Sequence, residues 1–308
     1  VEAGREEVTD PYARLSTEAV NPRTADLDAL ATPDLVALIF AEDAAVQRAC
    51  AAVADVVARV ADAVAAALAA GGRVVYVGAG TSGRLAMLDA VEWPPTFSTD
   101  PSATIVLLAG GRDAMFAAQE GAEDDAEAGA RGVRDAGVSP RDFVLGVTAS
   151  GRTPFVAGAL AEARRRGAPT GAVVCNPAPA DLAADHVVRL DTGAEVLAGS
   201  TRMKAGSATK MTLNAISLAA MTRLGKVHGN RMVDLRVGSK KLAERARRLV
   251  VELGGVDPAR ADAALAASGG SAKLAILMVR SGLAAPDARR RLDAAGGSLR
   301  AALDGHAT

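Results

Sequence analysis

Residues 73–84 read RVVYVGAGTSGR, a short apolar and β-branched run at 73–77 that passes into a glycine-rich turn. A helix-like stretch at residues 84–91 follows the turn. The same alternation continues downstream. Strand-like runs lie at residues 104–108, 143–148, 171–175 and 186–190, and helical stretches at about 124–136 and 153–166 separate some of them. Short, fully apolar strands interleaved with helices predict an α/β fold with a doubly wound, parallel, five-stranded sheet covered on both faces. In such a sheet a ligand lies beyond the carboxyl ends of the strands, where loops run into helix N-termini.

Outward from this centre, residues 1–31 are polar and predict an extended arm. Thr32-Pro33-Asp34 predicts a helix start with a hydroxyl cap, proline in the first turn and an acid against the dipole. The helical pattern runs to about Ala70, with a break near Glu42-Asp43, and Gly71-Gly72 ends it. After Ser200 the pattern is entirely helical: a long segment at about 203–224, another at 239–253, and short helices starting near Asp257-Pro258, Ser271 and Pro286 and after Gly297. Paired glycines at 254–255, 269–270 and 296–297 punctuate this tail. The expected organisation is an arm with helices at 1–60, the α/β domain at 61–236 and a helical bundle at 237–308.

Composition narrows the function. Of 308 residues half are hydrophobic, 23% are charged and the net charge is −1, against the basic excess of a nucleic-acid surface. Aromatic residues make up only 3%, too few for base-stacking platforms. Cys50 and Cys175 are far apart, and His186, His228 and His306 share no metal-ligand spacing, so no disulfide framework or metal site is expected. Residues 1–10 contain no apolar signal stretch, and the apolar run at 53–70 carries Asp55, Arg59 and Asp62 among alanines. These features predict a soluble cytoplasmic protein without a membrane span.

Two strand-to-helix loops are chemically alike, Gly78-Ala79-Gly80-Thr81-Ser82-Gly83-Arg84 and Ala149-Ser150-Gly151-Arg152-Thr153-Pro154. Each places glycine, hydroxyls and an arginine at an expected helix N-terminus, where free N–H groups and the dipole suit a phosphate monoester. The first also matches G-x-G-x-x-G. The second strand, however, ends in Ala109-Gly110-Gly111 rather than in the acid that would grip a dinucleotide ribose. The plain alternative for a single loop of this kind is a tight turn. A third stretch, residues 193–204, holds Glu195, Ser200, Arg202 and Lys204 and is equally readable as part of a site or as an ordinary helix start.

Acid–base chemistry would fall to carboxylates. Glu92 is followed by Trp93-Pro94-Pro95, which places it at the end of a helix, where the dipole and apolar neighbours favour the protonated acid. Glu123, in Glu120-Gly121-Ala122-Glu123-Asp124-Asp125, lies at a helix N-terminus that would keep it ionised, as a general base requires. Each is also readable as a solvated surface glutamate.

Seven motifs in order carry a family resemblance: Thr17-Glu18-Ala19-Val20-Asn21-Pro22, residues 78–84, 89–97 (DAVEWPPTF), 120–124, 149–154, 200–206, and Gly229-Asn230-Arg231-Met232-Val233-Asp234. From about residue 16 to the C-terminal bundle the chain resembles the N-acetylmuramic acid 6-phosphate etherases of the sugar isomerase (SIS) superfamily. The resemblance implies a flavodoxin-like SIS sheet and a small C-terminal three-helix module similar to ubiquitin-associated domains. It also implies a cytoplasmic, cofactor-free lyase of cell-wall recycling. Such an enzyme removes D-lactate from carbon 3 of N-acetylmuramic acid 6-phosphate by elimination and then hydration. By motif, Glu92 matches the proton donor and Glu123 the second catalytic glutamate. Gly80, Thr81, Ser82, Ser150, Gly151, Thr153 and Ser200 match the sugar-phosphate site. Arg84, Arg152 and Lys204 are matched as helpers for phosphate or lactyl carboxylate, and Glu195 as a residue touching the sugar. A homodimer with its site near the subunit interface is implied as well. Trp93 and His228 depart from the pattern, standing where a small residue and an aromatic are expected. The competing functions are a non-catalytic sugar-phosphate regulator and an aldose–ketose isomerase.

Overall fold

The computed structural model describes residues 15–176, 182–234 and 240–305. The remainder of the expected arm (residues 1–14), His306, the expected boundary at 236/237 and the expected helix start at Ser239 lie outside the described residues. In chain order the main elements are α1 (Thr32–Ala52), α2 (Ala54–Ala69), β1 (Val74–Gly78), α3 (Gly80–Phe97), β2 (Thr104–Leu108), α4 (Ala126–Asp135), β3 (Phe143–Thr148), α5 (Pro154–Arg165), β4 (Thr170–Val174), β5 (His186–Arg189), α6 (Lys204–Arg223), β6 (Val227–His228), β7 (Arg231–Met232), α7 (Lys240–Gly254), α8 (Pro258–Ala267), α9 (Ala272–Ser281), α10 (Ala285–Ala294) and α11 (Leu299–Asp304).

The chain divides into two compact units, residues 1–90 with 104–216 and residues 91–103 with 217–308. The first holds a five-stranded sheet in the order β2-β1-β3-β4-β5, with every pair parallel. The apolar strand runs have their reason here: β1, β3 and β4 are buried at every position, because helices cover both faces. Val75, Val77 and Val144 pack with Val156, Ala159 and Leu160 of α5 and Val133 of α4 in one core. The 2-1-3-4-5 order is the flavodoxin-like winding that the family resemblance implies.

The second unit contains α7–α11 around Leu249, Val250, Leu274, Ile276, Leu277, Leu292 and Leu299. Its short helices begin where the sequence marks them. Asp257, Ser271 and Ser298 each cap a helix by accepting a backbone N–H three residues on. Lys273 is buried against Asp234 (3.3 Å) and donates to Gly297 O (3.0 Å); burial lowers its basicity below the ordinary lysine value.

Four local expectations are corrected. The arm is not extended throughout, since residues Pro22–Thr24 and Leu27–Ala29 form 3-10 turns, the first capped by the Asn21 side chain. The N-cap of α1 is Ala31, not Thr32, because Leu35 N already donates to Ala31 O. The helical region breaks at Val53 rather than near Glu42, which is buried and ion-paired to Lys204. The stretch after Ser200 is not wholly helical: Gly229, at φ +60°, turns a two-stranded hairpin between β6 and β7. On that hairpin His228 is half-buried, and burial with Arg300 and Arg280 lowers its basicity.

Candidate active site

The winding creates the site. β1 and β3 are neighbours, but β1 connects onward to β2 on one side while β3 connects to β4 on the other. The loops leaving their carboxyl ends therefore diverge and leave a crevice. It is a cleft of about 430 Å³, lined by Gly80, Thr81 and Ser82 after β1 and by Thr148, Ser150 and Thr153 around the end of β3. Glu18, Glu123, Asp124 and Thr201 complete its polar wall.

The glycines of the first loop have distinct tasks. Gly80 turns the chain into α3 at φ +52°. Gly78 and Gly83 let helix and strand touch: a Cβ on Gly83 would come within 2.3 Å of Leu108 Cδ1 and 2.8 Å of Gly78 O. Their spacing thus brings the N-terminus of α3, with Thr81 and Ser82, down onto the strand end.

The second loop is a hydroxyl network. Thr148, almost fully buried, shares hydrogen bonds with Thr153 Oγ1 (2.7 Å) and Ser150 Oγ (3.3 Å) and accepts from Gly151 N (3.2 Å). Thr153 is the N-cap residue of α5 but makes no side-chain cap bond, and Pro154 follows at the first turn. The donors of this helix start accordingly remain available to an anion in the cleft.

Acids reach the cleft from two other segments. Glu123 and Asp124 are exposed on the 3-10 turn Ala122–Asp124, just ahead of α4, which Asp125 caps by accepting from Ala128 N (2.8 Å). Glu18 is carried by the N-terminal segment, which is fastened to the sheet end. Ser16 Oγ donates to Asn176 Oδ1 (3.0 Å), Asn176 Nδ2 donates to Thr17 Oγ1 (3.2 Å), and Gly199 N donates to Thr17 O (3.2 Å).

The other expected residues lie elsewhere. Gly151 is buried beneath the loop, and Arg152 is exposed outside the cleft wall. Arg84 holds the segment after β2, donating to Ala114 O (2.8 and 3.0 Å) and Ala117 O (3.3 Å). Ser200 adjoins Thr201 without lining the cleft. Glu195 is fully buried and accepts the backbone N–H groups of Lys204 (3.0 Å) and Ala205 (2.9 Å) at the start of α6; burial raises its carboxyl above the ordinary value. The ammonium of Lys204 is buried against Glu42 Oε2 (3.0 Å). Burial opposes the charge of Glu42, but the hydrogen bonds from Lys204 and Asn21 and the charges of Lys204 and Arg23 outweigh it and hold the carboxyl below the usual range.

Glu92 is exposed on α3 and is absent from the cleft wall described above. It does not end its helix: α3 continues through Pro94 and Pro95 to Phe97, with Trp93 and Phe97 buried one turn apart. Their burial outweighs the helix-breaking tendency of the prolines. Glu18, Thr148, Asp124 and Thr201 are cleft residues to which the sequence assigned no role. For Glu18 a signal existed in its hydroxyl- and proline-flanked motif, whereas the part played by Thr148 depends on a strand end that only the fold defines.

The N-terminal SIS domain of glucokinase regulatory protein is the family model that matches, over residues 55–164. The chain is 48% identical over 290 residues to the N-acetylmuramic acid 6-phosphate etherase of Mycolicibacterium smegmatis, covering 94% of this chain and 97% of that protein. It is 50% identical over 291 residues to the protein of the same name from Rubrobacter xylanophilus, covering 94% and 96%. With the one from Deinococcus radiodurans identity is 48% over 297 residues, covering 96% of each. Identity of this extent, end to end, is decisive: the chain belongs to the N-acetylmuramic acid 6-phosphate etherase family.

Proposed function

We propose that the protein cleaves the D-lactyl ether of N-acetylmuramic acid 6-phosphate, yielding N-acetylglucosamine 6-phosphate and D-lactate, in the recycling of cell-wall amino sugar. The observation that carries this reading is one cleft holding both a neutral, donor-rich anion cradle and Glu123. The 6-phosphate is received by the hydroxyls of Thr81, Ser82, Ser150 and Thr153 and by the first turns of α3 and α5. Anchored there, the opened sugar presents the proton at carbon 2, made acidic by the carbon 1 aldehyde, to Glu123 as base. Glu92, as the acid, gives a proton to the departing lactyl oxygen at carbon 3. Water then adds to the unsaturated aldehyde at carbon 3, and the proton returns to carbon 2.

A homodimer completes the active site in this reading. Its support is the exposed apolar surface: Val20 and Leu197 line one open hollow, Val36 and Phe40 lie one turn apart on α1, and Leu88 and Val91 precede Glu92 on α3. Exposed apolar clusters of this kind suit association with another protein surface. The working compartment is the cytoplasm; in support, no helix among the described residues is long and apolar enough to cross a membrane. Incubation with N-acetylmuramic acid 6-phosphate and assay for D-lactate tests the activity. Lactate release is expected; binding without lactate would make the protein a sugar-phosphate regulator, and a ketose product from another sugar phosphate would make it an isomerase.

A further inference from the structure

We propose that Glu18 is a sugar-contacting, specificity-determining residue of this cleft, accepting hydrogen bonds from the hydroxyl or amide N–H groups of the sugar. The proposal rests on the etherase reading above and assigns a function to the N-terminal segment, which neither phosphate binding nor the glutamate pair employs.

Three observations support it. First, among the described residues the cleft wall contains hydroxyls and carboxylates but no lysine or arginine. The basic side chains closest to it in sequence are otherwise committed, Arg84 to backbone carbonyls and Lys204 to Glu42, or are exposed outside the wall, as Arg152 and Arg202 are. An ionised carboxylate only accepts hydrogen bonds, and it repels phosphate. Glu18 is therefore suited to the uncharged part of the ligand, the end rich in O–H and N–H donors. Second, the segment is held firmly. Thr17 is fully buried; Asn176 accepts from Ser16 Oγ and Thr17 N and donates to Thr17 Oγ1 and to Ala149 O (2.9 Å) in the β3 loop. One buried amide thus joins the Glu18 segment to the phosphate cradle, fixing the distance between the two ends of the ligand. Third, the Glu18 side chain, although exposed, lies beside the loop that leads to the cleft wall. A methyl on Gly199 would lie 3.2 Å from its Oε2, and Gly199 adjoins the residues leading to Thr201 on the cleft wall.

The test is calorimetric binding of N-acetylglucosamine 6-phosphate and of inorganic phosphate to wild-type protein, Glu18→Gln and Glu18→Asp, alongside lactate release by the wild type. Loss of a hydrogen bond to a charged acceptor predicts sugar-phosphate affinity about 10–100-fold weaker in Glu18→Gln. Inorganic phosphate should bind as before or more tightly, because a repelling charge is gone, and Glu18→Asp should recover part of the sugar affinity. Unchanged sugar-phosphate binding in Glu18→Gln, or equal weakening for both ligands, overturns the proposal while lactate release upholds the etherase reading. A wild type that releases no lactate and binds no sugar phosphate overturns both.

Discussion

At the residue scale, the proposed phosphate cradle is built from neutral groups. Thr148 ties Ser150 and Thr153 together from beneath, so the two hydroxyls are presented in fixed positions rather than as free rotors. A double substitution of Ser150 and Thr153 by alanine should weaken binding of the phosphorylated substrate by about 10-fold or more, since two donors to a charged ligand are lost. An unphosphorylated analogue should bind the double variant as it binds the wild type. Equal losses for both ligands, measured by titration, would remove these hydroxyls from the phosphate site. Glu195 and Lys204 show why residue identity alone was an incomplete guide. Both occur in a plausible ligand loop, yet one carboxylate is occupied by two backbone N–H groups and the one ammonium by Glu42.

At the element scale, α1 and α6 are linked by the ion pair of Glu42 and Lys204, whose side chains are only 5% and 3% exposed. Glu42→Gln would leave a buried ammonium without its counter-charge, and should cost about 3–5 kcal/mol in denaturant unfolding. The pH dependence has a definite sign. The Glu42 carboxyl is held below its usual value in the folded state, so its contribution is present well above that value and disappears as pH falls through the lowered one. Stability of the wild type should therefore decline on acidification through the carboxylate range, and the decline should be shallower in Glu42→Gln. A second element-scale prediction concerns Gly83. With Leu108 and the Gly78 carbonyl already against it, Gly83→Ala should lower unfolding free energy by about 1–3 kcal/mol as α3 is pushed off β1.

The strands and most helices were legible because their signals are local. The runs at 104–108 and 143–148 coincide with β2 and β3, and the short C-terminal helices start where expected. The end of α3 was not legible, because Pro94 and Pro95 argue for a stop and only the burial of Trp93 and Phe97 argues against it. The hairpin of β6 and β7 is two residues a side, too short for any periodic pattern. The cleft was half visible. The two loops proposed to receive phosphate carry glycine and hydroxyl signatures, but the arrival of Glu18 depends on a tertiary clasp through Asn176, 159 residues away from Thr17 in sequence.

At the scale of the whole molecule, the proposed division of labour between Glu92 and Glu123 becomes a question of how many chains make one site. Glu123 lines the cleft, whereas Glu92 is exposed on the same helix as Leu88 and Val91, which precede it by four residues and one and are 42% and 53% exposed. A carboxylate set among bare apolar side chains is suited to an interface, where a second copy would cover those side chains and desolvate the acid. Glu92→Gln and Glu123→Gln should each lower turnover by about 10²–10⁴-fold, the usual effect of losing a general acid or base. If a two-fold dimer builds each site from Glu92 of one subunit and Glu123 of the other, unfolding the two inactive variants together and refolding them should restore activity. Random pairing makes half the dimers mixed, and each mixed dimer has one of its two sites intact, so about a quarter of wild-type turnover should return. Were both glutamates drawn from the same subunit, every site in the mixture would still lack one of them, and lactate release would stay at the level of the separate variants.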